Sequence, residues 1–221
     1  MTDMRGDTER TVGRLMDVAG RTYADEAGIR LTDSPASLYR LLVLSILMSA
    51  RIKADIAVAA ARELSGAGFR TARRMRESSW QDRVDALGRG HYVRYDESTA
   101  STLGEGAALI DDEYGGDLRR MARRADGDPG RLRRLLCEVP GIGAVGADIF
   151  CREVQGVWPW LRPYLDKKAR EGAERIGLPK DAAALAGLVP DDDLARFSAA
   201  LVRVRLDRTL ADEVTASPAR A

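Results

Sequence analysis

The sequence predicts an all-α protein. Apolar residues recur at helical spacing along nearly the whole chain. No segment shows convincing period-2 alternation, and proline and glycine fall where helices start and stop. Val12, Leu15, Met16, Ala19 and Tyr23 mark one face of an opening helix. Ser34-Pro35 starts the most apolar segment, Leu38 to Met48, which is apolar on most sides and so belongs at the centre of a bundle. A helix from Asp55 to Leu64 follows, ended by Gly66 and Gly68. Short helices are expected at Thr71–Arg76 and Trp80–Leu87, the second opened by Ser78 or Ser79. Asp96 to Tyr114 reads as a longer helix, interrupted in pattern by Gly104 and Gly106 and stopped by Gly115-Gly116.

Asp128 and Pro129 then give an N-cap and first position for a helix running to about Glu138. Another runs from Ala144 to Val154, joined to it by the turn Pro140-Gly141-Ile142-Gly143. Two helices meeting at so short a glycine-rich turn expose consecutive backbone N–H groups, including the orphan donors of the second helix. That arrangement suits an anionic oxygen, with phosphate the obvious guest. Two prolines keep 157–165 extended or irregular. Helices at Asp166–Ile176, Asp181–Leu188 and Asp191–Leu206 complete the pattern, and the residues from about Leu210, 211–221 in particular, read as a flexible tail.

Composition narrows the function classes. The 221 residues are 45% hydrophobic but only 5% aromatic, so a real core is built from aliphatic helix packing. The formal net charge is +1, yet seven arginines (119, 120, 123, 124, 131, 133 and 134) crowd the stretch before the glycine turn. Such a run is a solvated helix face or, in this position, a surface that tracks a nucleic-acid backbone. Two cysteines, Cys137 and Cys151, are too few for a disulfide scaffold or a four-thiolate cluster and read as buried reduced thiols. With His91 the only histidine, a zinc site of the usual kind is not expected, nor any other metal centre. No basic-then-apolar leader opens the chain and no apolar run reaches membrane-spanning length, which reads as a soluble, cytoplasmic protein without membrane contact.

The turn and its surroundings resemble the helix-hairpin-helix DNA glycosylases, the superfamily of endonuclease III. The resemblance rests on Leu136-x-x-Val139-Pro-Gly-Ile-Gly143, then about twenty residues, then an Asp that opens a helix. Upstream, Leu41 to Ala50 is similar to that family's first core helix, which ends in Leu-Ser-Ala-Gln. Gly90-His-Tyr92 followed by Arg94 is similar to its Gly-Leu/Phe-Tyr segment. The span covered is roughly Ser34 to Leu206.

The resemblance implies two helical subdomains flanking a cleft, here drawn as 34–140, ending in the hairpin, and 1–33 with 141–210. It implies a monomer bound to double-stranded DNA, with Gly141 and Gly143 holding phosphates and Val139 lending its carbonyl to a monovalent cation. Asp166 stands at the catalytic position, where a carboxylate would stabilise an oxocarbenium-like sugar. A plain N-cap is its other reading. Lys167 and Lys168 would meet phosphates or solvent. Arg51 occupies the place of the Gln that plugs the gap left by the extruded base, or is a surface residue ending a helix. Trp158, Trp160 and Tyr92 are the candidate walls of a base pocket.

Two departures bear on activity. Bifunctional members carry a nucleophilic Lys where this chain has Val145, so lyase chemistry by the usual route is not expected. No four-Cys loop follows Cys151, so no iron–sulfur cluster is expected, and no other cofactor is implied. The expected function is base excision repair by a monofunctional DNA N-glycosylase. The alternatives are a non-catalytic helix-hairpin-helix DNA-binding protein and a helical interaction module.

Overall fold

Among residues 2–216, which the computed structural model describes, with side chains from residue 6 onward, every regular element is helical. The α-helices in chain order are α1 (Thr2–Ala19), α2 (Tyr23–Glu26), α3 (Pro35–Ser49), α4 (Ala54–Gly66), α5 (Ala72–Glu77), α6 (Trp80–Arg89) and α7 (Asp96–Tyr114). They continue with α8 (Leu118–Ala125), α9 (Pro129–Cys137), α10 (Ala144–Val154), α11 (Lys167–Arg175), α12 (Ala182–Ala186), α13 (Leu194–Leu206) and α14 (Arg208–Thr215). The proline-rich segment after α10 is irregular, as its prolines require, apart from a 3-10 turn at Pro159–Leu161. None of the helices is long and apolar enough to cross a membrane.

The chain forms two compact units, one of Tyr23–Trp158 and one of Met1–Thr22 with Pro159–Ala221. The boundaries drawn from sequence at 34 and 140 do not coincide with this division. The reason is that α10 packs on α3 as well as on α9, so both hairpin helices belong to the same unit.

In the unit Tyr23–Trp158, α3 is the central helix and packs against α4, α7, α8 and α10. Leu38, Leu41, Leu42, Leu44 and Leu47 are each at most 1% exposed. Burying each of these side chains contributes about 1.5–3 kcal/mol before chain entropy is counted. α7 is continuous through Gly104 and Gly106, where the sequence pattern suggests an interruption. Both glycines make room for neighbours. A Cβ at Gly104 would lie 2.8 Å from the guanidinium of Arg83. That buried side chain donates to Ala100 O (2.8 Å), Ser78 O (2.8 Å) and Met75 O (3.2 Å), tying α5, α6 and α7 together. A Cβ at Gly106 would meet Val139 and Pro140 of the hairpin at 3.4 Å.

The other unit packs α13 against α1, α11 and α14. Its core gathers Leu15, Ala169, Ala173, Leu185, Phe197, Leu201 and Val204. Small residues on α11 set a close approach: a Cβ at Gly172 would fall 1.9 Å from Leu201 O. The expectation of a loose tail from Leu210 is corrected for the residues described. Asp207 caps α14 by accepting from Leu210 N at 3.1 Å, and Ala211 and Val214 are buried. Residues 217–221 of the expected tail lie outside the described residues.

Candidate functional site

The hairpin forms as its sequence dictates. Asp128 accepts from Gly130 N at 2.8 Å, Pro129 takes the first helical position, and α9 ends at Cys137. Ile142 N donates to Val139 O at 3.0 Å, closing the turn, and α10 starts at Ala144. Arg133 Nε donates to Asp148 Oδ1 at 2.8 Å and pins α9 to α10. Val139 and Ile142 are buried and anchor the turn, whereas Gly141, Gly143, Ala144 and Val145 are exposed.

The two glycines have different reasons to be glycine. Gly141 has φ +84, and a Cβ there would stand 2.4 Å from Thr102 Cγ2 and 3.0 Å from Ile46 Cγ2. Gly143 has open space around it. Among the described residues, the N–H groups of Gly141, Gly143, Ala144 and Val145 meet no acceptor, so a row of backbone donors faces outward. Val139 O accepts once, from Ile142 N, and retains a lone pair.

α3 and α7 carry other loops to the same end of this unit. A Cβ at Gly146 would lie 2.6 Å from Ser49 Oγ, so the end of α3 rests on the first turn of α10. Arg51 follows two residues later, exposed and without a partner among the described residues. Lys53, which sequence reasoning passed over, is exposed and likewise without a partner there. Tyr92 is 1% exposed and directs its hydroxyl toward Leu47 O at 3.5 Å. That contact puts the segment 91–95 beside the end of α3. His91, at φ 61, is exposed, Val93 is 65% exposed, and the Arg94 guanidinium stacks over the Tyr95 ring. Gly90 lets this segment start in close contact with α4, since a Cβ there would sit 2.4 Å from Ala60 Cα.

The expected pocket aromatics divide. Tyr92 is a core residue whose hydroxyl burial pushes upward in pKa. Trp158 is 4% exposed, donates Nε1–H to Asp33 Oδ1 at 2.9 Å, and meets the Phe150 ring edge-on at 5.8 Å. Trp160 remains 37% exposed. Val145, at the position of interest for lyase chemistry, is 41% exposed in the first turn of α10.

The arginine run is partly an ion-paired face. Arg119, Arg124, Arg133 and Arg134 lie within 4 Å of Asp117, Glu113, Asp148 and Asp128. Cys137 is exposed, against the expectation of a buried thiol, because it ends α9 on the outer side of the hairpin; Cys151 is buried.

In the unit that contains α11, Asp166 is the N-cap of that helix, with Oδ1 accepting from Ala169 N at 2.9 Å. It is half-buried, and its segment is held to α13 where Ser198 Oγ donates to Tyr164 O at 3.3 Å. Lys167 is exposed, with its ammonium 3.9 Å from Glu171. Lys168 is half-buried and, with Arg205 and Lys167, holds Glu171 below the usual carboxylate range; the Arg205 hydrogen bond is the largest cause.

These features define an all-α protein with a glycine-turn helical hairpin. The same fold occurs in endonuclease III. One solved structure is a trapped covalent endonuclease III–DNA intermediate, an estranged-adenine complex, with TM-score 0.53 and 14% identity, covering 91% of this chain and 84% of that one. Another is a non-covalent endonuclease III–DNA complex, with TM-score 0.55 and 14% identity over 91% and 83% of the two chains. No protein-family model and no curated protein matches the sequence.

Proposed function

We propose that this protein binds double-stranded DNA and acts in base excision repair as a monofunctional DNA N-glycosylase. The row of outward N–H groups on a turn held rigid by Gly141 carries the reading, since it offers donors and the positive end of α10 to a phosphate. The likeness in fold to endonuclease III supports it. Arg51 and Lys53 add unpaired positive charge beside those donors, which favours a polyanion. The remaining lone pair of Val139 O suits a monovalent cation that would bridge turn and phosphate. The two cysteines do not fit an iron–sulfur cluster, which needs four thiolates.

Asp166 is the carboxylate assigned to catalysis. Its Oδ1 accepts from Ala169 N, which fixes the side chain, and a carboxylate so held stabilises positive charge building on the sugar as the base departs. Val145 has no amine, so the sugar is attacked by water and the strand is left intact. Lys167 and Lys168 serve phosphates. Of the three candidate wall aromatics, Trp160 is the one with surface to offer a flipped base.

Release of free base from a panel of damaged and mispaired duplexes tests this. Wild type is expected to release base from at least one duplex, and Asp166→Asn to lose that activity. Equal release by the variant removes Asp166 from the mechanism. Salt-dependent duplex binding with no base release from any duplex favours the second reading, a non-catalytic DNA-binding protein. That reading is consistent with the capping role Asp166 already has.

A further inference from the structure

The unit that contains α11 and α14 has an open cavity of about 220 Å³ lined by Arg175, Arg208, Ala211, Asp212 and Thr215. Residues 208, 211, 212 and 215 recur at helical spacing and form one stripe along α14. Arg175, the last residue of α11, supplies the other side. Both arginines are exposed, and neither forms an ion pair or a side-chain hydrogen bond among the described residues. The acids of α11 are engaged elsewhere: Glu171 accepts from Arg205 at 2.8 Å, and Glu174 pairs with Lys180. Asp212 stands four residues after Arg208, a spacing that permits an ion pair, yet it forms none there. Arg208 also opposes its own helix, because the N-terminal end of a helix carries positive charge and disfavours a cation in the first turn. Two cations and one carboxylate on a single cavity leave a positive balance that an anion would neutralise.

We propose that this cavity binds a small phosphomonoester whose organic part carries free hydroxyls. A phosphate group has about −1.5 to −2 charge at pH 7, and each arginine offers it a planar fork of N–H donors. Asp212 supplies carboxylate oxygens, and Thr215 Oγ1 donates its proton to Ala211 O at 3.0 Å, so both present lone pairs to the cavity. Those acceptors repel bare phosphate oxygens and accept from hydroxyls, which favours an ester over the free ion. The cavity is smaller than the roughly 300–1,000 Å³ of sites for drug-sized molecules, which keeps the ligand small. The assignment does not depend on the DNA chemistry proposed above.

Calorimetric titration of the full chain with glycerol 3-phosphate, and separately with inorganic phosphate, tests the assignment at ionic strength held constant with chloride. Wild type is expected to bind glycerol 3-phosphate saturably and more tightly than phosphate. Arg175→Gln and Arg208→Gln are each expected to weaken that binding by about tenfold or more, the loss of one charge-assisted hydrogen bond. Asp212→Ala should abolish the preference for the ester. All three positions are exposed, so the variants keep the fold, which thermal melts verify. Absence of saturable binding, or wild-type affinity in either arginine variant, overturns the site. Phosphate bound as tightly as the ester by wild type overturns the stated ligand. Duplex affinity unchanged in Arg175→Gln supports a small ligand, and duplex affinity lost in parallel assigns the arginine to a DNA strand and overturns it.

Discussion

Gly141 and Gly143 sit two residues apart on the turn, and replacing each with alanine separates folding from binding. At Gly141 the backbone is left-handed, which costs a residue with a Cβ about 1–2 kcal/mol. The added methyl would also sit 2.4 Å from Thr102 Cγ2 and 3.0 Å from Ile46 Cγ2, overpacking of a kind that costs about 1–3 kcal/mol. The sum is about 2–5 kcal/mol, a large part of the roughly 5–15 kcal/mol that holds a typical protein folded. A loss of about 3 kcal/mol lowers Tm by roughly 6–12 °C in a chain of this size. At Gly143 the methyl enters open space, and the change at the helix N-cap costs about 1 kcal/mol or less. That methyl stands among the outward N–H groups, so duplex binding should drop while Tm barely moves. Thermal melts and fluorescence anisotropy with a labelled duplex, at a temperature where both variants are folded, read the two effects. A Gly141→Ala midpoint within about 2 °C of wild type would show slack that the contacts deny. Wild-type DNA affinity in Gly143→Ala would remove the turn from the interface.

Asp166→Asn should keep Tm within a degree or two, because Asn caps a helix about as well as Asp, whereas Asp166→Ala should cost about 1 kcal/mol. A melting series on the two variants checks this against the base-release assay. Arg51→Ala should weaken duplex binding and reduce the slope of log K against log salt by about 1, if it meets one phosphate. An unchanged slope places Arg51 off the strand. Burial raises the Glu153 carboxyl above its ordinary 4.5, even though the N–H groups of Ala24 and Tyr23 favour its charge. A carboxyl raised in the folded state contributes stability that is complete below 4.5 and is lost as pH rises through the native value. Glu153→Gln should therefore show a flatter dependence of urea midpoint on pH above that point, and identical slopes would count against the assignment.

Local chemistry was legible in the sequence and long-range packing was not. The limits of α10 and the caps Asp128, Ser79 and Asp166 follow from residues within one turn, so reading them needs no tertiary knowledge. The glycines of α7 looked like breaks because their reasons, Arg83 and the hairpin, come from distant parts of the chain. The partners of the candidate wall residues Tyr92 and Trp158, Leu47 and Asp33, lie 45 and 125 residues away, which sequence spacing does not reveal. The neighbouring loops 50–53 and 91–95 share one end of the unit for the same reason. α14 was read as part of a loose tail because its apolar face has only Ala211 and Val214 buried.

Glu153 also determines how the chain is threaded. Its carboxylate receives the N–H groups of Tyr23 and Ala24 across 130 residues, while Trp158 follows within the next two turns and hydrogen-bonds Asp33. Entry to and exit from the segment Tyr23–Trp158 are thus stapled at one spot, making it a closed excursion spliced into the other unit. That other unit is completed by partners far apart in the chain, such as Arg196 and Gly20, 176 residues distant. On a ribosome the excursion has its whole sequence in hand before α13 is made, so α1 must wait for a mate that is synthesised after that excursion.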